Sequence, residues 1–208
     1  MKIKYFLPAV LFMAGCGGTP PQLTPEQINQ KISTLQEEGS SLLLIYSQRP
    51  DSVQKAYQLL KEAVALDETN VLSFFSLAKA QNALGQPEEV MKTMDKIIQL
   101  DSLNQDAYLF KAVLSDLDGK KEEAAALYNK TLTLLEQKIE KGGDYQFFYE
   151  LGKAFILYLS GHEDDLEQYM DLLNKRYKGD VVKKETLQSY FEGVFKEDKT
   201  SVLKGILK

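Results

Sequence analysis

VLSFFSLAKAQNALGQPEEVMKTMDKIIQLDSLN, residues 71–104, is followed directly by QDAYLFKAVLSDLDGKKEEAAALYNKTLTLLEQK, residues 105–138. The two blocks are equal in length and carry a Gly at the same offset, Gly85 and Gly119. On both sides of each Gly, apolar residues recur three and four apart, the spacing of one buried face on an α-helix. A Gly between two such runs ends the first helix and lets the chain reverse. Each block therefore predicts two antiparallel helices, and a second copy beside the first predicts that the pairs stack.

Counting back one block length from Val71 defines an earlier block, Glu37–Asn70. The second helices of the three blocks align by position. Ala56, Val90 and Ala124 stand at the twentieth place, and Leu60, Met94 and Tyr128 at the twenty-fourth. Ala63, Ile97 and Thr131 follow at the twenty-seventh, then Leu66, Leu100 and Leu134 at the thirtieth. In the first helices, Phe74 and Tyr108 hold the fourth place, and Ala78 and Ala112 the eighth. This pattern resembles the tetratricopeptide repeat, whose period is about 34 residues with an aromatic, a small residue and a Gly at these offsets. Ala at the eighth place lets paired helices approach closely, and a larger side chain there would overpack the pair by about 1–3 kcal/mol. The Pro usual near the end of each repeat is missing, and Ser102 stands in that place.

A fourth, looser copy follows an insert. The second helix of the third block is expected to run on to Lys141 and stop at Gly142-Gly143. Tyr145 then opens a new first helix, with Phe148, Leu151, Gly152 and Phe155 at the fourth, seventh, eighth and eleventh places. Its turn, Ser160-Gly161, lies two residues late, and its second helix spans about Glu163–Tyr177 with Leu166, Tyr169, Met170 and Leu173 inward.

The flanks extend this array. Thr24-Pro25-Glu26-Gln27 has the form of a capping box: Thr24 as N-cap, Pro25 at the first helical position and Gln27 at the third. Ile28, Ile32, Leu35, Leu42 and Tyr46, with Gly39 on the same stripe, predict one long helix or two stacked pieces. Arg49-Pro50-Asp51 breaks it, and Ser52 begins the next helix. Beyond the repeats, Leu187, Tyr190, Phe191, Val194 and Phe195 form one apolar stripe, and Val202, Leu203, Ile206 and Leu207 another. Solenoid ends must cover their last apolar face, so these segments read as caps, with a docking helix for another protein as the alternative. The expected fold is all-α: a short α-solenoid of tetratricopeptide-like antiparallel helix pairs, with an N-terminal helix and C-terminal capping helices. Residues 25–180 form the repeat domain, with repeats near 37–70, 71–104, 105–138 and 145–180, and residues 181–208 form the cap.

The N-terminus reads as an address. Lys2 and Lys4 precede an apolar run, Tyr5–Met13, too short to span a bilayer. Met13-Ala14-Gly15-Cys16 is similar to the lipobox of bacterial lipoproteins. That resemblance implies removal of residues 1–15 and lipidation of Cys16, leaving 16–24 as a linker rich in Gly and Pro. Two or more acyl chains hold a protein stably on a membrane. Gly17 is not Asp, and no acidic run follows Cys16, so by those resemblances the periplasmic face of the outer membrane is the expected location.

Composition narrows the chemistry. The chain of 208 residues has a formal net charge of −5, and its 25 basic residues include only Arg49 and Arg176 as arginines. An acidic chain poor in Arg is badly suited to nucleic acid, which selects a basic face. One Cys excludes an intramolecular disulfide framework, and one His, His162, lacks the partners of a zinc site. The acids after it, Glu163, Asp164 and Asp165, fit the first turn of a helix, where they stabilise its dipole. No nucleotide fingerprint, nucleophile elbow or catalytic carboxylate pair occurs, so no catalytic residue, metal or cofactor is expected.

Binding remains. In tetratricopeptide arrays the first helices line a concave groove, and the second, fifth, ninth and twelfth places usually face it. The resemblance implies Leu72, Phe75, Lys79 and Asn82 in the second block, and Asp106, Leu109, Val113 and Asp116 in the third. In the fourth it implies Gln146, Tyr149, Lys153 and Ile156. Phe75, Leu109 and Tyr149 would form an apolar ladder edged by Lys79 and Lys153, suited to a segment of another protein. The alternative is a ladder covered by the chain's own terminal helices. The expected function is a membrane-tethered adaptor lipoprotein that binds a protein partner in the cell envelope, of undetermined oligomeric state. A permanent structural subunit and a glycan-binding accessory are the other readings.

Overall fold

Thr24 starts the first helix as its spacing predicts. The Gln27 amide donates to its Oγ1 at 3.2 Å, and the Gln27 side chain accepts from the Thr24 amide at 2.9 Å, a closed capping box. The structure is a computed structural model that describes residues 23–207. Cys16, the expected signal segment and most of the expected linker lie outside the described residues. Among those described, ten α-helices and one 3-10 turn occur, and no strand. They are α1 (Pro25–Tyr46), α2 (Pro50–Leu66), α3 (Val71–Ala83), α4 (Pro87–Leu100), α5 (Gln105–Leu117), α6 (Lys121–Lys141), α7 (Gln146–Ser160), α8 (Glu163–Arg176), α9 (Val181–Glu192) and α10 (Lys199–Ile206). The 3-10 turn is Val194–Lys196.

Helices α1 to α8 form four antiparallel pairs, and each helix packs on the next in sequence. The pattern residues make the core. Ala56, Val90 and Ala124 are enclosed, as are Leu60, Met94 and Tyr128 one turn on, and Ala78 and Ala112 on the first helices. The pairs turn at Gly85, Gly119 and Gly161, all at positive φ. Each turn closes with the same backbone bond: Gln86, Lys120 and His162 donate to the carbonyls of Gln81, Ser115 and Leu157. Only Gly takes this left-handed position without a side-chain clash.

The missing Pro has a replacement. Asp67 and Asp101 cap the turn between repeats, accepting from the amides of Thr69 at 2.9 Å and Leu103 at 3.1 Å. Three residues later Asn70 and Asn104 cap the next helix, accepting from Ser73 at 3.0 Å and Ala107 at 3.1 Å. An Asp–x–x–Asn sequence thus carries the chain from one pair to the next.

Three sequence expectations need correction. Helix α2 begins at Pro50, not Ser52, because Pro suits the first helical position and Arg49 takes the cap. With α1 ending at Tyr46, the first hairpin turns three residues earlier than the pattern. Its close contact therefore moves towards the N-terminus of α1, where Gly39 packs on Leu60 and a β-carbon would lie 2.8 Å from Leu60 Cγ. Leu44, at the eighth place of that block, is instead 85% exposed. Phe191 is also exposed, because α9 ends at Gly193 and only Leu187 on its stripe is fully enclosed.

The third correction concerns the fourth pair. Counted back from Gly161, the unit starts at Phe147 rather than Tyr145, and it ends at Asp180. In that frame Ala154, not Gly152, holds the eighth place, and it is as enclosed as Ala78 and Ala112. Leu166, Met170 and Leu173 fall on the twentieth, twenty-fourth and twenty-seventh places, all buried. Asp180 then caps α9, accepting from the Lys183 amide at 3.1 Å, as Asn70 and Asn104 do for their helices. Residues 139–146 are the insert that displaces the frame: α6 runs on to Lys141, and Gly142 and Gly143 end it at positive φ.

Candidate functional site

The corrected frame identifies the groove. On α7 its second, fifth, ninth and twelfth places are Phe148, Leu151, Phe155 and Tyr158. Exposure repeats with position. Leu72 and Phe148, both second-place, are 65% and 64% exposed, while the tenth-place residues Ala80, Leu114 and Ile156 are buried. Of the residues expected to line the groove in this unit, Gln146, Tyr149, Lys153 and Ile156 do not. Lys153 falls at the seventh place, like Lys111, and both reach an acid on the preceding second helix. Lys153 Nζ lies 2.6 Å from Glu136 on α6 and over the Tyr169 ring, and Lys111 pairs with Asp95 on α4. Tyr149 sits under Lys138 of α6, 5.3 Å from its ring centre. Gln146 donates to Glu150 at 3.2 Å.

Glu150 stands where the pattern carries an aromatic, and it is fully enclosed. A buried carboxylate is tolerated only if paired and hydrogen-bonded. Arg176 at the end of α8 forms its ion pair, and the Tyr177 hydroxyl donates to it at 2.7 Å. Burial and this bond push the Tyr177 hydroxyl up to about 12. The network ties α7 to the end of α8, beside an edge-on contact of Phe147 with Tyr177 at 5.0 Å.

The groove is occupied by the chain's own C-terminal segment, which touches the twelfth-place residue of three successive first helices. Tyr158 on α7 donates to the Glu197 carbonyl at 2.8 Å, and its ring packs 5.4 Å from Phe195. Asp116 on α5 lies 2.8 Å from Lys199 Nζ. Asn82 on α3 donates to the Leu207 carbonyl. The segment therefore runs from α7 back towards α3. Helix packing distances are about 8–10 Å, and an eight-residue helix is about 12 Å long, so α10 spans neighbouring first helices.

Between those ends the contacts are apolar. Val202 and Leu203 are buried in the cluster that holds Ala112, Val113, Ile156 and Leu159, with Leu109, Phe155 and Ile206 against it. Leu207 packs on the neighbouring cluster of Phe74, Ala78 and Leu114, which Phe75 and Phe110 flank. The second apolar stripe thus covers the face formed by the first helices, not the end of the stack. The end is covered by α9 through Leu187, packed with Leu151, Ala154, Met170 and Leu173.

The remaining expected groove residues now have a place, with Asp106 exposed at the start of α5. Val113 is enclosed, Leu109 and Phe75 are half-buried, and Phe75 meets Phe110 edge-on at 6.4 Å. Asn82 is engaged by α10, while Leu72 and Lys79 remain exposed on the α3 side. Asp116 is the electrostatic centre. Burial alone would raise its pKa, but hydrogen bonds and charge from Lys121 and Lys199 prevail and hold it below the usual carboxylate range. Tyr128 donates to the same carboxylate at 3.2 Å, and burial with that neighbouring charge raises its hydroxyl far above the ordinary range. Among the described residues, no cluster of His, Cys, Asp and Glu could hold a metal, and no helix is long and apolar enough to cross a membrane.

Tyr158 was legible: the late Gly161 already marked a shifted frame, and counting from it places Tyr158 beside Asn82 and Asp116. Lys199 was not, since nothing local shows where a C-terminal helix lands.

No protein-family model matches the chain. It is 28% identical over 123 residues to the TPR repeat-containing protein YpiA of Bacillus subtilis (strain 168), a match covering 59% of this chain. The chain spans about a quarter of that relative, 26% of its length. Among solved structures, the nearly identical TPR-like repeats of a putative kinesin light chain from Podosopora anserina superpose with a TM-score of 0.55. The identity is 12%, over 89% of this chain and 95% of that one. The repeat frame, the turn glycines, the enclosed eighth-place alanines and these likenesses make the chain an all-α, tetratricopeptide-like helical-repeat protein.

Proposed function

We propose that the protein is a lipid-tethered, non-catalytic adaptor of the bacterial cell envelope that binds a segment of a protein partner. The observation that carries the binding role is the shared face of α3, α5 and α7, which takes an amphipathic helix through apolar contacts and polar bonds at both its ends. The tether rests on Cys16, the one Cys of the chain, placed after Met13-Ala14-Gly15 at the end of an apolar run. Lipid on Cys16 leaves eight residues before the first helix starts at Pro25. That linker reaches about 25 Å when extended, enough to hold the repeats clear of headgroups. The periplasmic face of the outer membrane is the proposed site of action.

The test is fractionation followed by affinity capture from detergent-solubilised membranes. The wild-type chain should sediment with membranes and retain a protein partner, while Cys16→Ala should appear in the soluble fraction. A Cys16→Ala chain that stays on the membrane would remove the tether, and solubilised membranes that yield no retained protein would remove the adaptor role. A second reading, a permanent structural subunit, draws support from Leu44 and Ile45 on α1, which are 85% and 65% exposed. Such a subunit would hold its neighbours at fixed stoichiometry in high salt.

A further inference from the structure

Helix α10 occupies the groove as a ligand would, and the groove reads its direction. The N-terminal end of a helix is electropositive and the C-terminal end electronegative. The groove presents the Asp116 carboxylate to Lys199 in the first turn, and the Asn82 amide donor to the Leu207 carbonyl past the last turn. Both residues stand at the same place of successive repeats, so the polarity is built into the array.

The groove is not filled on one flank of this helix. An open cavity of about 500 Å³ flanks the C-terminal segment, lined by Phe148, Leu151 and Phe155 of α7, Tyr190 of α9, and Val202 and Gly205 of α10. The segment itself is short. Its helix has eight residues, below the length that sustains a helix alone, with Gly205 one residue before its end. It joins the repeats through a helix broken at Gly193 and an exposed Glu197-Asp198.

We propose that α10 is a resident stand-in that a partner displaces. The partner's segment is an amphipathic helix of about nine residues, the length spanned here from Lys199 to Leu207. It carries Lys or Arg in its first turn for Asp116. Its apolar side chains over Phe148, Leu151 and Phe155 are bulkier than those of α10 and fill the cavity. The inference rests on the adaptor reading and adds to it the chemistry of the partner and the way it gains entry.

The test uses the full chain and a synthetic peptide with the sequence of residues 197–207, altered by Val202→Leu and Gly205→Leu to fill the cavity. Peptide affinity is measured by fluorescence anisotropy, and amide hydrogen exchange is followed on the chain. The altered peptide should bind at least tenfold tighter than the unaltered one, and adding Lys199→Glu to it should cost at least tenfold. At saturation, amides 202–207 of the chain should exchange at least tenfold faster, while those of α5 and α7 keep their protection. The proposal is overturned by α10 amides that exchange as slowly as those of α5 whatever peptide is added. It is equally overturned by a peptide that binds without loosening α10, or by sedimentation showing α10 exchanged between two copies of the chain. None of these results touches membrane capture, so a partner retained there by a chain with α10 locked would leave the adaptor reading standing.

Discussion

Ser115 on α5 is enclosed, and its hydroxyl has no hydrogen-bond partner among the described residues. The equivalent residue one repeat earlier, Gln81, is satisfied by Thr93 at 2.8 Å. A buried hydroxyl without a partner costs free energy that an apolar side chain of similar size avoids. Ser115→Ala should therefore stabilise the protein by about 0.5–1 kcal/mol in urea unfolding, and a destabilised variant would mean that the hydroxyl is satisfied after all. Asp116 beside it behaves in the opposite way. Its carboxylate is a stronger acid folded than unfolded, held so by Lys121 of α6 and Lys199 of α10, with Tyr128 donating from α6. Its pairing is complete above the unfolded pKa of about 3.9, and it is lost as pH falls through the lower folded value. Unfolding of the wild type should steepen below about pH 4, and Asp116→Asn should flatten that acid limb. Equal acid limbs would locate the sensitivity in other carboxylates. The sequence marked Asp116 as a groove residue from its place in the repeat. It could not mark it as enclosed, because burial depends on a helix that arrives from the far end of the chain.

At the scale of the element, the first hairpin shows how one turn sets the contacts of two helices. Helix α1 ends early and α2 starts at a Pro, so the close approach falls at Gly39 instead of the eighth place. Gly39→Ala would gain about 1 kcal/mol of helix propensity but would press its β-carbon against Leu60, which is fully enclosed. Overpacking costs about 1–3 kcal/mol, so the expected net effect is a loss near 1 kcal/mol, read as a lowered melting temperature. A raised melting temperature would show that Leu60 yields to another rotamer at little cost. The capping box at Thr24, the end of α6 at Gly142 and the inward face of α8 were all legible, since each depends on residues within a few positions. The frame of α7 was misplaced by two residues for a physical reason. Aromatics crowd its first turn at Tyr145, Phe147 and Phe148, and the pattern's aromatic place is taken instead by Glu150 with Arg176 and Tyr177.

At the scale of the whole molecule, repeats bury their apolar faces on neighbours, and each end needs a cover. Helix α9 covers the last pair through Leu187, and α10 covers the face of the first helices. Leu187→Ala should cost about 2–4 kcal/mol and should loosen α7 and α8 before α1 and α2 in hydrogen exchange. Uniform loosening along the stack would show a single cooperative unit rather than a chain of neighbours. By itself the sequence determined the helix pairs, their turns and their sideways stacking, because a fixed repeat period and a glycine at a set offset act over short distances along the chain. What lies in the groove was decided only by the tertiary structure. Asn82 and Leu207 are 125 residues apart, and the path that joins them bends at Gly193 and at the 3-10 turn, where no repeat pattern operates. An apolar stripe states that it must be buried, but which of two faces buries it depends on where the chain before it has led.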